Sequence, residues 1–195
     1  MANTTEQDAV LLQEIKADDP RAFRSLYDTY YRYLVVTVYN ILGDAETARD
    51  LAQDVLAELW NKRKTLEIRS SLKSYLRRAV VNKTLNYIKA RRLDFNEPER
   101  SPNPPAEAAQ AQQLLENQDL QRLINAAVEA LPERCRIVFT LCRLEGKSHK
   151  EIATQLQIST KTVENQMTKA LLSLRRRLQP YLDQRLLLTI IALWA

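Results

Sequence analysis

Apolar positions recur along this chain at spacings of three and four, and nowhere in the two-residue rhythm of a strand. The longest stripe, Phe23, Leu26, Tyr30, Leu34, Val38 and Ile41, lies within PRAFRSLYDTYYRYLVVTVYNIL. Asp19 is placed to cap that helix, Pro20 suits its first turn and Gly43 can end it. Asp44 can cap the next helix, with Glu46 favourable in its first turn and Leu51, Val55, Leu56 and Leu59 as its buried stripe. The pattern breaks around residues 62–71, and Ser70 or Ser71 starts a third helix running through Arg92. There Leu72, Leu76, Ala79, Leu85 and Ile88 can face inward, leaving Lys73, Arg77, Arg78, Lys83 and Lys89 toward solvent. Three long helices with short connections predict a bundle.

From Phe95 the periodicity collapses into FNEPERSPNPPA, which holds four prolines and reads as an extended linker. Helical signal returns near Ala108 and runs to Leu131; Pro132 then starts ERCRIVFTLCRLE, which Gly146 closes. Ser148 to Leu156 reads as a short helix, Gln157 and Ile158 as a turn, and Ser159 or Thr160 as the cap of TKTVENQMTKALLSLRRRL. Val163, Met167, Ala170, Leu171 and Leu174 give that last helix an inner face, with Lys161, Glu164, Asn165, Thr168 and Lys169 outside. Its first turns fit a major groove, with the cluster Arg175, Arg176 and Arg177 beyond them for phosphate. Gln157 stands where a helix–turn–helix often has glycine, because the turn asks for a left-handed residue. The expected fold is all-α, two small helical domains joined by a Pro-rich linker, the second containing a helix–turn–helix. The expected boundaries are 1–94 for the bundle, 95–109 for the linker, 110–180 for the second domain and 181–195 for an apolar tail, RLLLTIIALWA at its end.

Charge sharpens this picture. Residues 1–60 hold eleven acids against five basic residues, net −6, whereas residues 61–94 hold eleven basic residues against two acids, net +9. Such a switch inside one helical unit points to two surfaces for two partners, one of them nucleic acid. Residues 95–120 turn acidic again, with five acids against one arginine. The whole chain carries a formal +5 with a pI near 9.2, as a nucleic-acid partner favours.

Candidate chemistry is sparse. Cys135 and Cys142 lie seven apart on one predicted helix, so about 10.5 Å separates their Cα atoms, too far for a disulfide. His149 continues the spacing, but one metal ion cannot reach all three. No nucleophile–base pair, acidic metal cluster or phosphate-cradling loop is evident, so neither an enzyme nor a cofactor or small-molecule substrate is expected. The first residues lack the basic start and apolar segment of a secretory signal, and no run reaches the roughly 18 apolar residues that span a bilayer. A cytoplasmic protein is expected.

Both blocks together resemble the bacterial extracytoplasmic-function (ECF) sigma factors. The likeness rests on F-x-x-L-Y at Phe23, A-x-D-L-x-Q-D-V at Ala48 to Val55, Trp60 and S-Y-L-x-x-A-x-x-N at Ser74 to Asn82. The second block adds L-P-x-x-x-R/C-x-V-F at Leu131 to Phe139, G-K-S-x-x-E-I-A at Gly146 to Ala153 and T-V-E-N-Q at Thr162 to Gln166. The resemblance implies core RNA polymerase and promoter DNA as partners, with the polymerase β′ clamp coiled coil meeting Asp50, Gln53 and Asp54. It implies that the third helix captures the separated minus-ten element through Tyr75, Arg78, Asn82, Lys83 and Asn86. The minus-thirty-five element would fall to Lys161, Glu164, Asn165, Thr168 and Lys169, and the polymerase β flap and an anti-sigma factor are further implied partners. Tyr75 stands where many members carry tryptophan; packing is the more expected role for it and for Trp60, and core or rim positions for Tyr27, Tyr30, Tyr31, Tyr33 and Tyr39. The acidic linker would thread toward the polymerase cleft as an RNA mimic, or serve as a plain tether.

Two other classes remain open at this point. A stand-alone helix–turn–helix regulator would bind duplex DNA as a dimer, with the N-terminal bundle as sensor or dimerisation unit. A recombinase-like enzyme would need a nucleophile among clustered arginines, and the acids around the tyrosines near Arg32 argue against it. The apolar tail could pack on the second domain, bind a partner or lie on a membrane surface.

Overall fold

Asp19 accepts from the Arg21 N–H at 2.8 Å and launches the longest helix in the computed structural model, Pro20–Leu42. The structure describes residues 6–68, 70–95 and 117–181; most of the expected linker (96–109) and nearly all of the apolar tail (182–195) lie outside these residues. All secondary structure among the described residues is helical. The chain divides into two units, Met1–Arg92 and Leu93–Ala195.

The first unit holds α1 (Glu6–Lys16), α2 (Pro20–Leu42), α3 (Ala45–Lys62) and α4 (Leu72–Ala90). Gly43 ends α2 at φ 70°, its N–H returning to the Tyr39 carbonyl, and Asp44 then caps α3 by accepting from Glu46 and Thr47. Ser71 caps α4 through the Ser74 N–H. Leu26, Leu34, Val38 and Ile41 of α2 have no solvent exposure, and α3 and α4 both pack against that stripe and against each other. Fully burying one such side chain contributes about 1.5–3 kcal/mol, so this stripe is the spine of the unit. Around it Val80, Val81 and Thr84 of α4 are buried too, because a central helix flanked on two sides needs a wide apolar face. The helix α1 was not expected from the sequence. It packs on α2, burying Ile15 and accepting at Asp8 a 3.1 Å hydrogen bond from the Tyr30 hydroxyl.

The second unit holds α5 (Asn117–Glu129), α6 (Glu133–Arg143), α7 (His149–Leu156) and α8 (Thr160–Leu178). Phe139, Ile137, Leu131, Ile152 and Val163 form its core. Ser148 and Glu151 make a reciprocal capping box at the start of α7, and Ser159 caps α8 through the Thr162 N–H at 3.0 Å. Cys135 is buried and Cys142 half-buried, and neither is in a disulfide. Phe95, expected to open the linker, is instead buried in this unit, and its carbonyl accepts a 2.7 Å hydrogen bond from Gln166 Nε2. A large aromatic with a nearby buried amide to satisfy gains more by joining a core than by staying in water.

Gln157 adopts the left-handed conformation (φ 58°, ψ 42°) between α7 and α8, as the turn requires. A side chain there costs on the order of 1 kcal/mol that glycine avoids. Gln157→Gly should therefore raise the thermal midpoint by about 3–6 °C in circular dichroism of the full chain, and Gln157→Val should lower it. A glycine variant that melts below the wild type would contradict the strain.

Candidate functional site

In the first unit α3 and α4 lie side by side with opposite charge on their outer faces. Asp50, Gln53 and Asp54 are all exposed on α3, as expected for a face offered to a partner. Beside them Tyr27 and Tyr31 of α2 stack with centroids 4.6 Å apart. Burial, and then the neighbouring Tyr31, push the Tyr27 phenol upward, partly offset by a hydrogen bond with Gln53. Phe23 lies 4.9 Å from Trp60, and the Arg63 guanidinium sits 4.1 Å over the indole, so Trp60 serves packing at the end of α3.

The helix α4 exposes Arg78, Asn82 and Asn86 at successive spacings of four, with Ser74 before them and Lys89 after. Spacings of three and four keep side chains on one side of a helix, so these five form a polar and cationic row that could follow a nucleic-acid strand. Two of the five residues expected to meet the minus-ten element border the row and are less exposed than its members. Tyr75 is half-buried, and burial together with the Glu58 charge raises its phenol pKa. Lys83 is ion-paired to Asp54 at 3.2 Å and to Glu58, both on α3. Burial alone would lower the Lys83 pKa, but the hydrogen bonds to Glu58 and Asp54 leave it raised. The expectation that Lys83 faces solvent is thus corrected. The acidic face of α3 lies within reach of its flexible stem, and a paired ammonium is better placed than a desolvated one. On the row's other flank, Lys73 lies 5.0 Å from the centroid of the Tyr33 ring and Arg77 donates to the Tyr33 hydroxyl at 3.3 Å. Their charges widen the cationic face; the sequence placed both toward solvent, but not against Tyr33.

In the second unit Lys161, Glu164, Asn165, Thr168 and Lys169 are all exposed on α8. Lys161 and Glu164 pair at 3.5 Å, with side chains 77% and 51% exposed, so solvent screens the contact and either is free to turn to a base edge or phosphate. The Thr168 hydroxyl donates to the Glu164 carbonyl at 2.9 Å. Arg175 and Arg176 are exposed, but Arg177 is half-buried and donates to the Ala130 carbonyl at 3.3 Å. This corrects the reading of a three-arginine phosphate cluster. Carbonyls at the end of α5 lack helical partners; Arg177 satisfies that of Ala130, and Arg136 those of Glu129 and Leu131. Gln166, unassigned in the sequence, is buried on the inner side of α8, donating to Phe95 and accepting from the Cys135 thiol at 3.1 Å. Among the described residues no group of His, Cys, Asp and Glu could hold a metal ion. No helix among them is long and apolar enough to cross a membrane.

Comparison with known families matches Sigma-70 region 2 to residues 26–93 and Sigma-70 region 4 to residues 121–174, together more than half of the chain. The chain belongs to the sigma-70 family. As a sigma factor it directs RNA polymerase to promoters, and sigma factors are not themselves catalytic enzymes. It is similar to the RNA polymerase sigma-H factor of Pseudomonas aeruginosa, 25% identical over 93% of this chain and 98% of that protein. The ECF RNA polymerase sigma-E factor of Escherichia coli K12 is 25% identical over 89% of this chain and 95% of its own length. The ECF resemblance read from the residues agrees with these relatives. A sigma factor solved with its anti-sigma factor from Bartonella quintana is 22% identical, covering 80% of this chain and 96% of that one. The TM-score between the two is 0.43.

The arginines of this sigma factor's α8 give a direct check. With core polymerase and promoter duplex, Arg176→Ala should reduce the slope of log affinity against log salt by about 0.9, the loss of one phosphate contact. Arg177→Ala should leave that slope unchanged while lowering the melting temperature; a slope change at Arg177 alone would contradict the geometry.

Proposed function

We propose that the first unit performs two tasks on adjacent helices. The exposed α3 face, Asp50, Gln53 and Asp54, receives the β′ clamp coiled coil of core polymerase, because an acidic and polar row on a rigid helix suits a basic helical partner. The α4 row, Arg78, Asn82 and Asn86, follows the separated non-template strand at the minus-ten element, arginine on phosphate and the amides on base edges. Tyr75 lies at the edge of that row, half-buried and able to offer a ring face to an unstacked base. Strand opening then draws on binding energy, at a cost of a few kcal/mol per unstacked step.

In the second unit, α8 reads the minus-thirty-five element as duplex. Asn165 and Lys169 are suited to purine edges, Glu164 to a cytosine amine, the Thr168 methyl to thymine, and Lys161, Arg175 and Arg176 to phosphate. The functional layout is then residues 1–94 for polymerase and minus-ten binding and 110–180 for the upstream element, with 95–109 between them and 181–195 as a tail. The β flap is a further polymerase contact, the action is cytoplasmic, and an anti-sigma factor, as named with the Bartonella quintana sigma factor, is a further partner.

The observation that carries this reading is the pairing, within one bundle, of an exposed acidic α3 face with an exposed cationic α4 row. Asp50 is the cleaner test position, because Asp54 also holds Lys83. Asp50→Lys should weaken association with core polymerase about tenfold or more and reduce run-off transcription in proportion, with unchanged helical content. Wild-type association by that variant would remove the α3 assignment.

A further inference from the structure

Lys83 is set apart from the cationic row next to it. Its ammonium is held by Asp54 and Glu58, and its side chain is 23% exposed while theirs are 61% and 55% exposed. The cation is therefore engaged within the bundle, yet both carboxylates still open to solvent. Each carboxylate has two oxygens and several acceptor sites, so a second cation can approach from outside and compete for them. Ion pairs this exposed are weak enough for a partner to exchange. Asp54 thus belongs to two surfaces, the α3 face and the seam with α4. Lys83 follows Asn82 directly in sequence, and its four-carbon stem lets the charge swing toward the row with the backbone still.

We propose that Lys83 couples polymerase docking to capture of the separated strand. In the free chain Asp54 and Glu58 hold it. A cationic partner surface seated on α3 takes over those carboxylates and releases the ammonium to a phosphate of the strand lying along Arg78, Asn82 and Asn86. This rests on the reading of α3 as the polymerase face and adds to it a residue that reports one binding event to the other. Linkage makes the effect reciprocal: strand binding that draws Lys83 away leaves Asp54 and Glu58 more available to polymerase. It also gives the α3 acids a second task, keeping one cation off DNA until polymerase arrives.

The test uses the full chain, without polymerase, and a short fluorescein-labelled single-stranded DNA. Glu58→Gln should tighten binding roughly two- to fivefold by loosening Lys83. Adding Lys83→Gln should abolish that gain. Glu46→Gln removes the same charge from an exposed position about 18 Å away along α3 and should give a distinctly smaller gain, the share owed to net charge alone. With core polymerase bound, Glu58→Gln should lose its advantage, because the carboxylates are already engaged. The inference is overturned if Glu58→Gln binds no tighter than the wild type, if its gain survives Lys83→Gln, or if Glu46→Gln matches it. Failure of the underlying reading shows elsewhere, as wild-type polymerase association by Asp50→Lys, so the two outcomes are told apart.

Discussion

The packing of α3 and α4 onto the fully buried stripe of α2 is the constraint from which the rest of the first unit follows. Leu26, Leu34, Val38 and Ile41 leave no room for the flanking helices to rotate, since turning either would bring Leu56 or Leu76, both buried, into water. Each such exposure costs about 1.5–3 kcal/mol, whereas the ion pairs decorating the unit contribute at most about 1 kcal/mol apiece. Apolar burial therefore orients the helices, and the charges fall where that orientation puts them. The acidic face of α3 and the cationic row of α4 become neighbours because their buried faces share one spine.

Helix positions were legible because their signals are local. Asp19, Asp44, Ser71, Ser148 and Ser159 each cap the helix that their sequence context announces, and Gly43 and Gly146 both take positive φ after an apolar run. The exposed rows on α3 and α8 were legible for the same reason: a spacing of three and four fixes a face without knowledge of the neighbour. What escaped depends on tertiary partners. Lys83 counts as one more surface cation until α3 supplies Asp54 and Glu58. Arg177 counts as a phosphate ligand until the end of α5 offers a carbonyl. Phe95 follows the basic helix and precedes the prolines, so nothing near it in sequence reveals the amide of Gln166, 71 residues away. The helix α1 is short, and its role on α2 rests on the single buried Ile15 and the Asp8–Tyr30 contact.

In the proposed function the two units read DNA in different physical states. A helix with polar side chains on its first turns, held firm by a serine cap and an internal glutamine, suits the rigid groove of intact duplex. A long row of one arginine and two amides, bordered by half-buried aromatics and further cations, suits a strand whose bases have left the stack. Membership of the sigma-70 family gives both tasks one purpose, placing polymerase at a start site. The Lys83 ion pairs add a way for the first unit to sense polymerase before committing to the strand.

Photo-crosslinking within the complex of polymerase, chain and promoter tests this division most directly. A crosslinker at Asn82 should label the non-template strand at the minus-ten element, and only on promoters that have opened, while one at Asn165 should label the upstream element whether or not the DNA has melted. Labelling of intact duplex from Asn82, or equal labelling of both elements from either position, would contradict the account.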